Sequence, residues 1–168
     1  QPLARLSNRV CKRAFDLVFS GVFMLISPLV FIPVGIAIKI SSPGPVFFKQ
    51  KRTGYRGREF YCYKFRTMRV NAAADTQQAT KNDPRKTRLG DLLRRTSIDE
   101  LPQFINVLKG DMSIVGPRPH MLRHTEEYSR LIQKYMVRHY IKPGITGWAQ
   151  INGRDELEIP VKAKLDGA

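Results

Sequence analysis

Cysteine and acidic side chains are both scarce in this sequence of 168 residues. The two cysteines, Cys11 and Cys62, match no metal-ligand spacing, so the sequence offers no cysteine zinc site and no disulfide framework, and a reducing compartment is favoured. Only 14 Asp and Glu stand against 29 Lys and Arg, which gives a formal net charge of +15. This excess predicts a polyanionic partner. Composition leaves open whether that partner is nucleic acid, an anionic membrane leaflet or a phosphorylated substrate.

Internal repeats and low-complexity tracts are also missing. The hydrophobic fraction of 42% is ordinary for a folded chain, which argues against disorder. The length suits a single core. The first residue is Gln1 rather than Met, as in a segment of a longer chain, so the lack of a signal peptide excludes no compartment.

The sequence does contain a long uncharged run, from Leu17 to Ile38, which exceeds the roughly 20 residues that cross a bilayer as a helix. Ser27-Pro28 lies at its middle and Pro33 predicts a second break, because proline removes a backbone donor and clashes with the preceding turn. Cations on both sides favour the cytoplasmic face for both ends. We therefore predict a re-entrant helix broken at Ser27 and Pro28, against three alternatives: a spanning helix, a secretory segment and a buried helix of a soluble core. The flanking cations are Arg9, Lys12, Arg13, Lys39, Lys49, Lys51 and Arg52.

The rest of the chain mixes helical and strand-like patterns. Residues 46–50 and 59–66 are rich in aromatic and β-branched side chains around a turn, which predicts a β-hairpin. Residues 70–88 are polar, as in a surface loop. Short helices are indicated near Leu89 and after Leu101, and a longer amphipathic helix over residues 121–140, with a basic face that is solvated or near a membrane. We predict an α-rich α+β fold, with a membrane helix pair in residues 1–40 and a small cytoplasmic domain containing a short β-hairpin in residues 41–168.

Asp99 and Glu100 form the acidic pair that carries most of the chemical information. Apolar residues at helical spacing follow the pair, so a helix runs to about Lys109. Ser97 and Glu100 fit a capping box, but Asp99 as N-cap places Pro102 in the first turn, where its missing N–H costs nothing, and we favour that start. Such a pair is often only a cap. At the positive end of a helix and beside two arginines, it can also stay ionised to attack phosphorus or hold Mg²⁺.

Two further loops suit phosphate or nucleotide binding. Pro117 and Pro119 stiffen the backbone around Arg118, and a rigid loop presenting a guanidinium group suits bidentate phosphate contacts, although a solvated surface arginine fits the same pattern. Residues 142–154 contain three glycines and the only tryptophan. That stretch is a close-approach loop for a nucleotide, a lipid-interface anchor or a packed turn.

Four stretches taken together resemble one family, the bacterial sugar transferases or monotopic phosphoglycosyl transferases. They occur in family order and cover nearly the whole chain from Arg13 to Asp166. The stretches are FDLVFSGVFMLISP, KRTGYRGREFYCYKFRTM, RRTSIDELPQFINVLKGDMSIVGPRP and KPGITGWAQINGR.

The resemblance implies a function for the acidic pair. Asp99 would be the nucleophile that attacks the β-phosphate of a UDP-sugar and releases UMP. Glu100 would be its partner, helping to bind Mg²⁺ or to activate the acceptor, and the pair would be the ligands of the metal. Undecaprenyl phosphate would then accept the sugar-phosphate, the first membrane step of surface glycan assembly. The domain of residues 41–168 would thus be catalytic and would lie on the cytoplasmic face of the bacterial inner membrane, against anionic phospholipid. Residues implied in substrate binding are Lys64, Arg94, Arg118, Arg154 and Asp166.

Two other functions remain as alternatives: a basic nucleic-acid-binding protein, using the aromatic and basic residues 55–65, and a membrane scaffold with an inactive site. The uncharged run argues against nucleic acid as the partner. Oligomeric state is not determined by the sequence. Among sugars, an N-acetylated amino sugar is the preferred donor class.

Overall fold

A computed structural model describes residues 6–70, 83–131 and 135–151. Within these ranges the structure is helix-rich, with two small two-stranded sheets. Short 3₁₀ segments cover Tyr55–Gly57, Ile98–Glu100 and Tyr135–Tyr140. The helices and strands, in chain order, are α1 (Leu6–Ile26), α2 (Pro28–Ser41), β1 (Phe47–Thr53), β2 (Glu59–Phe65), α3 (Arg88–Arg95), α4 (Gln103–Lys109), β3 (Ser113–Val115), α5 (Leu122–Leu131), β4 (Gly144–Thr146) and α6 (Trp148–Ile151).

Helices α1 and α2 meet at a 59° bend at the predicted break. Pro28 cannot donate a backbone hydrogen bond to the carbonyl of Met24, and the Ser27 hydroxyl donates to that carbonyl instead at 2.9 Å. The serine thus replaces the donor that the proline removes. Pro33 was also expected to break the helix, but it lies inside α2, which continues to Ser41.

In the described parts of the chain, no single helix is long and apolar enough to cross a membrane. Helices α1 and α2, taken together as a bent pair, do meet the criteria of length and composition. Large apolar side chains project outward from both helices, among them Leu25 and Leu29, each more than four-fifths exposed. The predicted division near residue 40 falls at the end of α2, and the organisation as a membrane segment and a catalytic domain in one functional unit stays a prediction.

The polar half of α1 is fixed to the rest of the molecule. Asp16 is buried, and one of its carboxylate oxygens accepts hydrogen bonds from the Ser113 hydroxyl at 3.1 Å and the Ile114 amide at 3.0 Å. Arg13 donates to the carbonyls of Val107 and Leu108, which belong to the last turn of α4, at 2.6 and 3.0 Å. These contacts satisfy orphan carbonyls of a helix C-terminus with a cation.

The predicted hairpin is present as β1 and β2, which pair antiparallel with Gln50 opposite Cys62. Its buried side chains join two clusters. Phe65 packs with Ile38 of α2 and Leu93 of α3, and Cys62 packs with Val107 and Met112. The hairpin therefore connects the bent helix pair to helices α3 and α4.

Strands β3 and β4 form a parallel pair that the sequence patterns did not reveal. Ser113 lies opposite Gly144, and Val115 opposite Thr146. A Cβ atom on Gly144 would lie 2.1 Å from the Gly116 amide nitrogen, and one on Gly147 would lie 2.3 Å from the Gly116 carbonyl oxygen. Of the three interpretations of this glycine-rich loop, close packing of backbone on backbone accounts for these two glycines.

The predicted amphipathic helix over residues 121–140 is wrong in extent. Helix α5 ends at Leu131, and a 3₁₀ segment covers Tyr135–Tyr140. The predicted basic face is also wrong at Arg138 and His139, which are buried. Most of the polar stretch predicted as a surface loop, residues 71–82, lies outside the described residues.

Candidate active site

The acidic pair lies in a single 3₁₀ turn, Ile98–Glu100, between α3 and α4. The predicted role of Asp99 as N-cap is therefore wrong. Ser97 is the residue that precedes the turn, and its φ of 58° and ψ of 14° place it in the left-handed region. Pro102, with φ of −61°, is the N-cap of α4. The sequence could not indicate this start, because left-handed serine costs roughly 1–2 kcal/mol and local preferences disfavour it.

The reversal at Ser97 turns the chain sharply as it leaves α3. The Ser97 amide still bonds to the Arg94 carbonyl at 3.2 Å, and the Glu100 amide bonds back to the Ser97 carbonyl at 3.1 Å. As a result both carboxylates point into the protein, with Asp99 6% and Glu100 5% exposed. Unfavourable backbone at a buried acidic pair is typical of a functional site.

Glu100 is held between two cations from different elements. The Lys64 ammonium on β2 donates to it at 2.8 Å, and the Arg118 guanidinium donates to its two oxygens at 2.7 and 3.3 Å. Burial alone would raise the pKa of Glu100, but the charges and hydrogen bonds of Lys64 and Arg118 outweigh it and hold the pKa well below its ordinary value. Glu100 is therefore ionised at neutral pH.

Asp99 interacts electrostatically with a third cation, Arg94. Burial lowers the pKa of Arg94, and the charge of Asp99 opposes that shift. The Arg94 side chain is oriented by the hydroxyl of Thr67, which accepts a hydrogen bond from it at 2.8 Å. Asp99 also interacts electrostatically with Arg118. Lys64, Arg94 and Arg118 therefore lie around the acidic pair, so positive charges outnumber the two carboxylates at this site.

Arg52 is a further cation near the acidic pair. In the sequence it stood out only as one of the cations that flank the uncharged run. It is buried, and the nearby charge of Arg118 adds to the lowering of its pKa by burial. One of its guanidinium nitrogens donates to the Pro119 carbonyl at 3.2 Å and another to the Gln50 amide oxygen at 2.6 Å. Gln50 and Arg52 are two residues apart in a strand, so their side chains lie on the same face. This spacing was the signal that could have placed Arg52 near the site.

The site is connected to the bent helix pair through Ile98. This residue precedes Asp99 and packs against the apolar cluster that contains Ile38 and Phe65. Phe23 of α1 also stacks on Phe104 of α4, with ring centroids 4.1 Å apart. The acidic turn therefore adjoins the apolar helices directly.

Three of the five predicted substrate-binding residues, Lys64, Arg94 and Arg118, lie around the acidic pair. The other two, Arg154 and Asp166, lie outside the described residues and stay predictions. Within the described ranges no group of three or more His, Cys, Asp or Glu side chains is placed to hold a metal ion. Mg²⁺ commonly takes one or two carboxylates and fills its remaining positions with substrate phosphates and water, and the role of Asp99 and Glu100 as its ligands stays a prediction.

The sequence is similar to named proteins over most of its length. It is 57% identical to the UDP-glucose:undecaprenyl-phosphate glucose-1-phosphate transferase of Escherichia coli (strain K12) over 148 residues, 87% of this chain and 32% of that protein. Identity to the protein of the same name from Xanthomonas campestris pv. campestris is 63% over 122 residues, 71% of this chain and 25% of that protein.

A third relative carries a different sugar in its name. The UDP-N-acetylgalactosamine-undecaprenyl-phosphate N-acetylgalactosaminephosphotransferase of Aeromonas hydrophila is 46% identical over 142 residues, 83% of this chain and 33% of that protein. The chain spans about a third or less of the length of these three relatives. A model of the family described as bacterial sugar transferase matches residues 7–168, and the chain therefore belongs to the bacterial sugar transferase family.

Proposed function

We propose that this chain transfers a sugar-1-phosphate from a UDP-sugar to undecaprenyl phosphate, with Asp99 as the nucleophile. The observation that carries the proposal is a buried acidic turn that lies among Lys64, Arg94 and Arg118 and adjoins an apolar helix pair through Ile98. The names of the relatives support the same donor and acceptor classes.

In the first step an Asp99 carboxylate oxygen attacks the β-phosphorus of the UDP-sugar. The bond between that phosphorus and the bridging oxygen breaks, UMP leaves with the bridging oxygen, and an acyl phosphate links Asp99 to the sugar. Negative charge accumulates on the phosphoryl oxygens and on the leaving UMP, and Lys64, Arg94 and Arg118 stabilise it. Asp99 and Glu100 would hold Mg²⁺, which would supply further positive charge to these oxygens.

In the second step a phosphate oxygen of undecaprenyl phosphate attacks the same phosphorus. The acyl phosphate bond breaks, the Asp99 carboxylate is regenerated, and undecaprenyl-diphosphate-sugar is the product. Glu100 is already neutralised by Lys64 and Arg118, so its role would be to fix these cations and to help hold Mg²⁺, rather than to accept a proton.

We further propose that α1 and α2 enter the cytoplasmic leaflet of the bacterial inner membrane and return to the same face. The outward apolar side chains, the 59° bend and the cations at both ends support this topology. Basic residues next to the helices would contact anionic phospholipid, which accounts for much of the net charge of +15. A lipid-linked acceptor in that leaflet would reach the acidic turn beside α2.

For the donor we propose UDP-glucose. Identity is 57% and 63% to two relatives named for glucose, and 46% to the Aeromonas hydrophila relative named for N-acetylgalactosamine. This replaces the earlier preference for an N-acetylated amino sugar. Release of UMP from a panel of UDP-sugars, in detergent with undecaprenyl phosphate and Mg²⁺, tests the choice. UMP release with N-acetylated donors and none with UDP-glucose would reject it.

The same assay tests the catalytic assignment. Asp99→Asn and Glu100→Gln should each reduce UMP release by at least about a hundredfold. The first removes the nucleophile, and the second removes the negative charge that holds Lys64 and Arg118 in place. Glu59→Gln is the matched control, since Glu59 is an acidic residue of β2 in an exposed ion pair with Lys51. Unchanged UMP release in Asp99→Asn would favour the inactive-scaffold alternative or another nucleophile.

A further inference from the structure

Arg138 is a buried cation that neither the sequence motifs nor the proposed mechanism uses. Its side chain is 3% exposed, in the 3₁₀ segment Tyr135–Tyr140. A buried guanidinium group must find acceptors for its N–H donors, because leaving them unsatisfied is costly. One of its nitrogens donates to the main-chain carbonyl of Arg118 at 2.7 Å.

The other contacts of Arg138 fix the direction in which it points. A second guanidinium nitrogen lies 3.1 Å from His120 Nδ1 and 3.5 Å from the Tyr135 hydroxyl. The guanidinium carbon lies 5.2 Å from the centre of the Tyr135 ring, within cation–π range. Only a planar fork can rest on a ring and bond to a carbonyl at its edge, so lysine would not reproduce this arrangement.

The carbonyls of residues 117–120 are all held from outside the loop. Gly144 donates to Pro117 at 2.9 Å, Arg52 donates to Pro119 at 3.2 Å, and Thr53 donates to His120 at 3.1 Å. Arg138 completes the set at residue 118 itself. Because Pro117 and Pro119 have no N–H, this loop can be fixed through its carbonyls more readily than through its amides.

We propose that Arg138 is a positioning residue for the reaction: by holding the Arg118 carbonyl, it sets the reach of the Arg118 guanidinium to Glu100 and to the substrate phosphates. The inference rests on the proposed function for the role of Arg118. Residues 117, 119 and 120 stay held without Arg138, but an arginine side chain is long, so a small rotation of the backbone at residue 118 would displace its guanidinium group by about 1 Å. Misplacement on that scale is enough to reduce turnover strongly.

Arg138→Met should reduce turnover roughly ten- to a hundredfold, the range expected from losing one hydrogen bond to a charged group. It should change kcat and KM in the same pattern as Arg118→Met. In the double variant of Arg138→Met and Arg118→Met, the reduction in turnover should be smaller than the product of the two single reductions, because Arg138 acts through Arg118. Arg138→Lys should be intermediate, because it keeps the charge but not the planar fork.

The matched control is Arg13→Met, which removes another guanidinium group bonded to main-chain carbonyls, those of Val107 and Leu108. Its loss should multiply with that of Arg118→Met, since it does not hold the loop of residues 117–120. A multiplying loss for Arg138→Met with Arg118→Met, or wild-type turnover in Arg138→Met, would overturn the proposal.

A second readout does not need activity. The coupling between Arg118 and Glu100, measured by thermal unfolding of single and double variants in detergent, should fall at least threefold when Arg138 is methionine or lysine. An unchanged coupling would overturn the positioning role. If the wild type releases no UMP from any UDP-sugar, the proposed function fails, while this coupling still tests Arg138.

Discussion

Two lysines of the β-hairpin form ion pairs with glutamates at similar distances, one pair buried and the other exposed, and the two pairs give a direct test of how the site is held. Lys64 lies 2.8 Å from Glu100, with side chains 19% and 7% exposed. Lys51 lies 3.0 Å from Glu59, with both side chains 52% exposed. The perturbation is Lys64→Met, with Glu100→Gln to complete a double-mutant cycle, and Lys51→Met with Glu59→Gln as the matched control cycle.

The expected magnitudes follow from burial. Removing one partner of a buried pair costs about 3–5 kcal/mol because the remaining charge is left uncompensated. Arg118 still neutralises Glu100 in Lys64→Met, so we expect the lower end, about 3 kcal/mol, and a coupling energy of about 2 kcal/mol. The exposed pair should couple by about 0.2–1 kcal/mol.

The assay is thermal unfolding in detergent for each member of both cycles. A loss of about 3 kcal/mol corresponds to a decrease in Tm of about 6–12 °C for a chain of this size. The coupling of Lys64 with Glu100 should persist at high salt, whereas that of Lys51 with Glu59 should fall, because solvent ions screen exposed charges. Equal coupling in the two cycles would refute the account of Glu100 as a buried, cation-held carboxylate.

Three further outcomes are expected. Ser97→Gly should raise the free energy of unfolding by about 1 kcal/mol, because glycine adopts the left-handed conformation without steric cost; a loss of stability would contradict the strained turn. The pKa of Glu100 is depressed in the folded state, so its contribution to stability is present above the ordinary glutamate pKa of about 4.3 and is lost as pH falls below it. Between about pH 5 and 2, unfolding of Glu100→Gln should therefore depend less on pH than that of the wild type, and parallel curves would contradict the assignment. Cysteines placed by Arg9→Cys and Pro45→Cys, with the exposed Cys11 changed to serine, should react with an impermeant thiol reagent from the same side of the membrane; opposite sides would indicate a spanning helix.

The sequence predicted those elements whose causes are local. Ser27 and Pro28 broke the helix as expected, since the missing amide and the replacing hydroxyl are neighbours in the chain. The hairpin and the end of α4 before Gly110 were likewise predicted, the latter because Gly110, with φ of 91°, accepts the left-handed position that ends a helix.

The failures have non-local causes. The turn before Asp99 depends on left-handed Ser97, which the protein stabilises against local preference. The parallel pairing of β3 with β4 brings together residues about 30 apart in sequence, which no short pattern encodes. Arg138 fits a basic helix face by spacing alone, and only the carbonyl of Arg118 explains its burial. The role of Asp99 came from family resemblance rather than spacing, and its chemistry stays a proposal.

The most direct test of that chemistry is the mass of the protein after reaction with the donor. Incubation with UDP-glucose and Mg²⁺, without undecaprenyl phosphate, should add one glucose-phosphate group to the wild-type chain and release UMP. Fragmentation should place the group on Asp99, and later addition of undecaprenyl phosphate should remove it. An adduct in Asp99→Asn, or UMP release that requires the lipid acceptor and leaves no adduct on the protein, would contradict the two-step account.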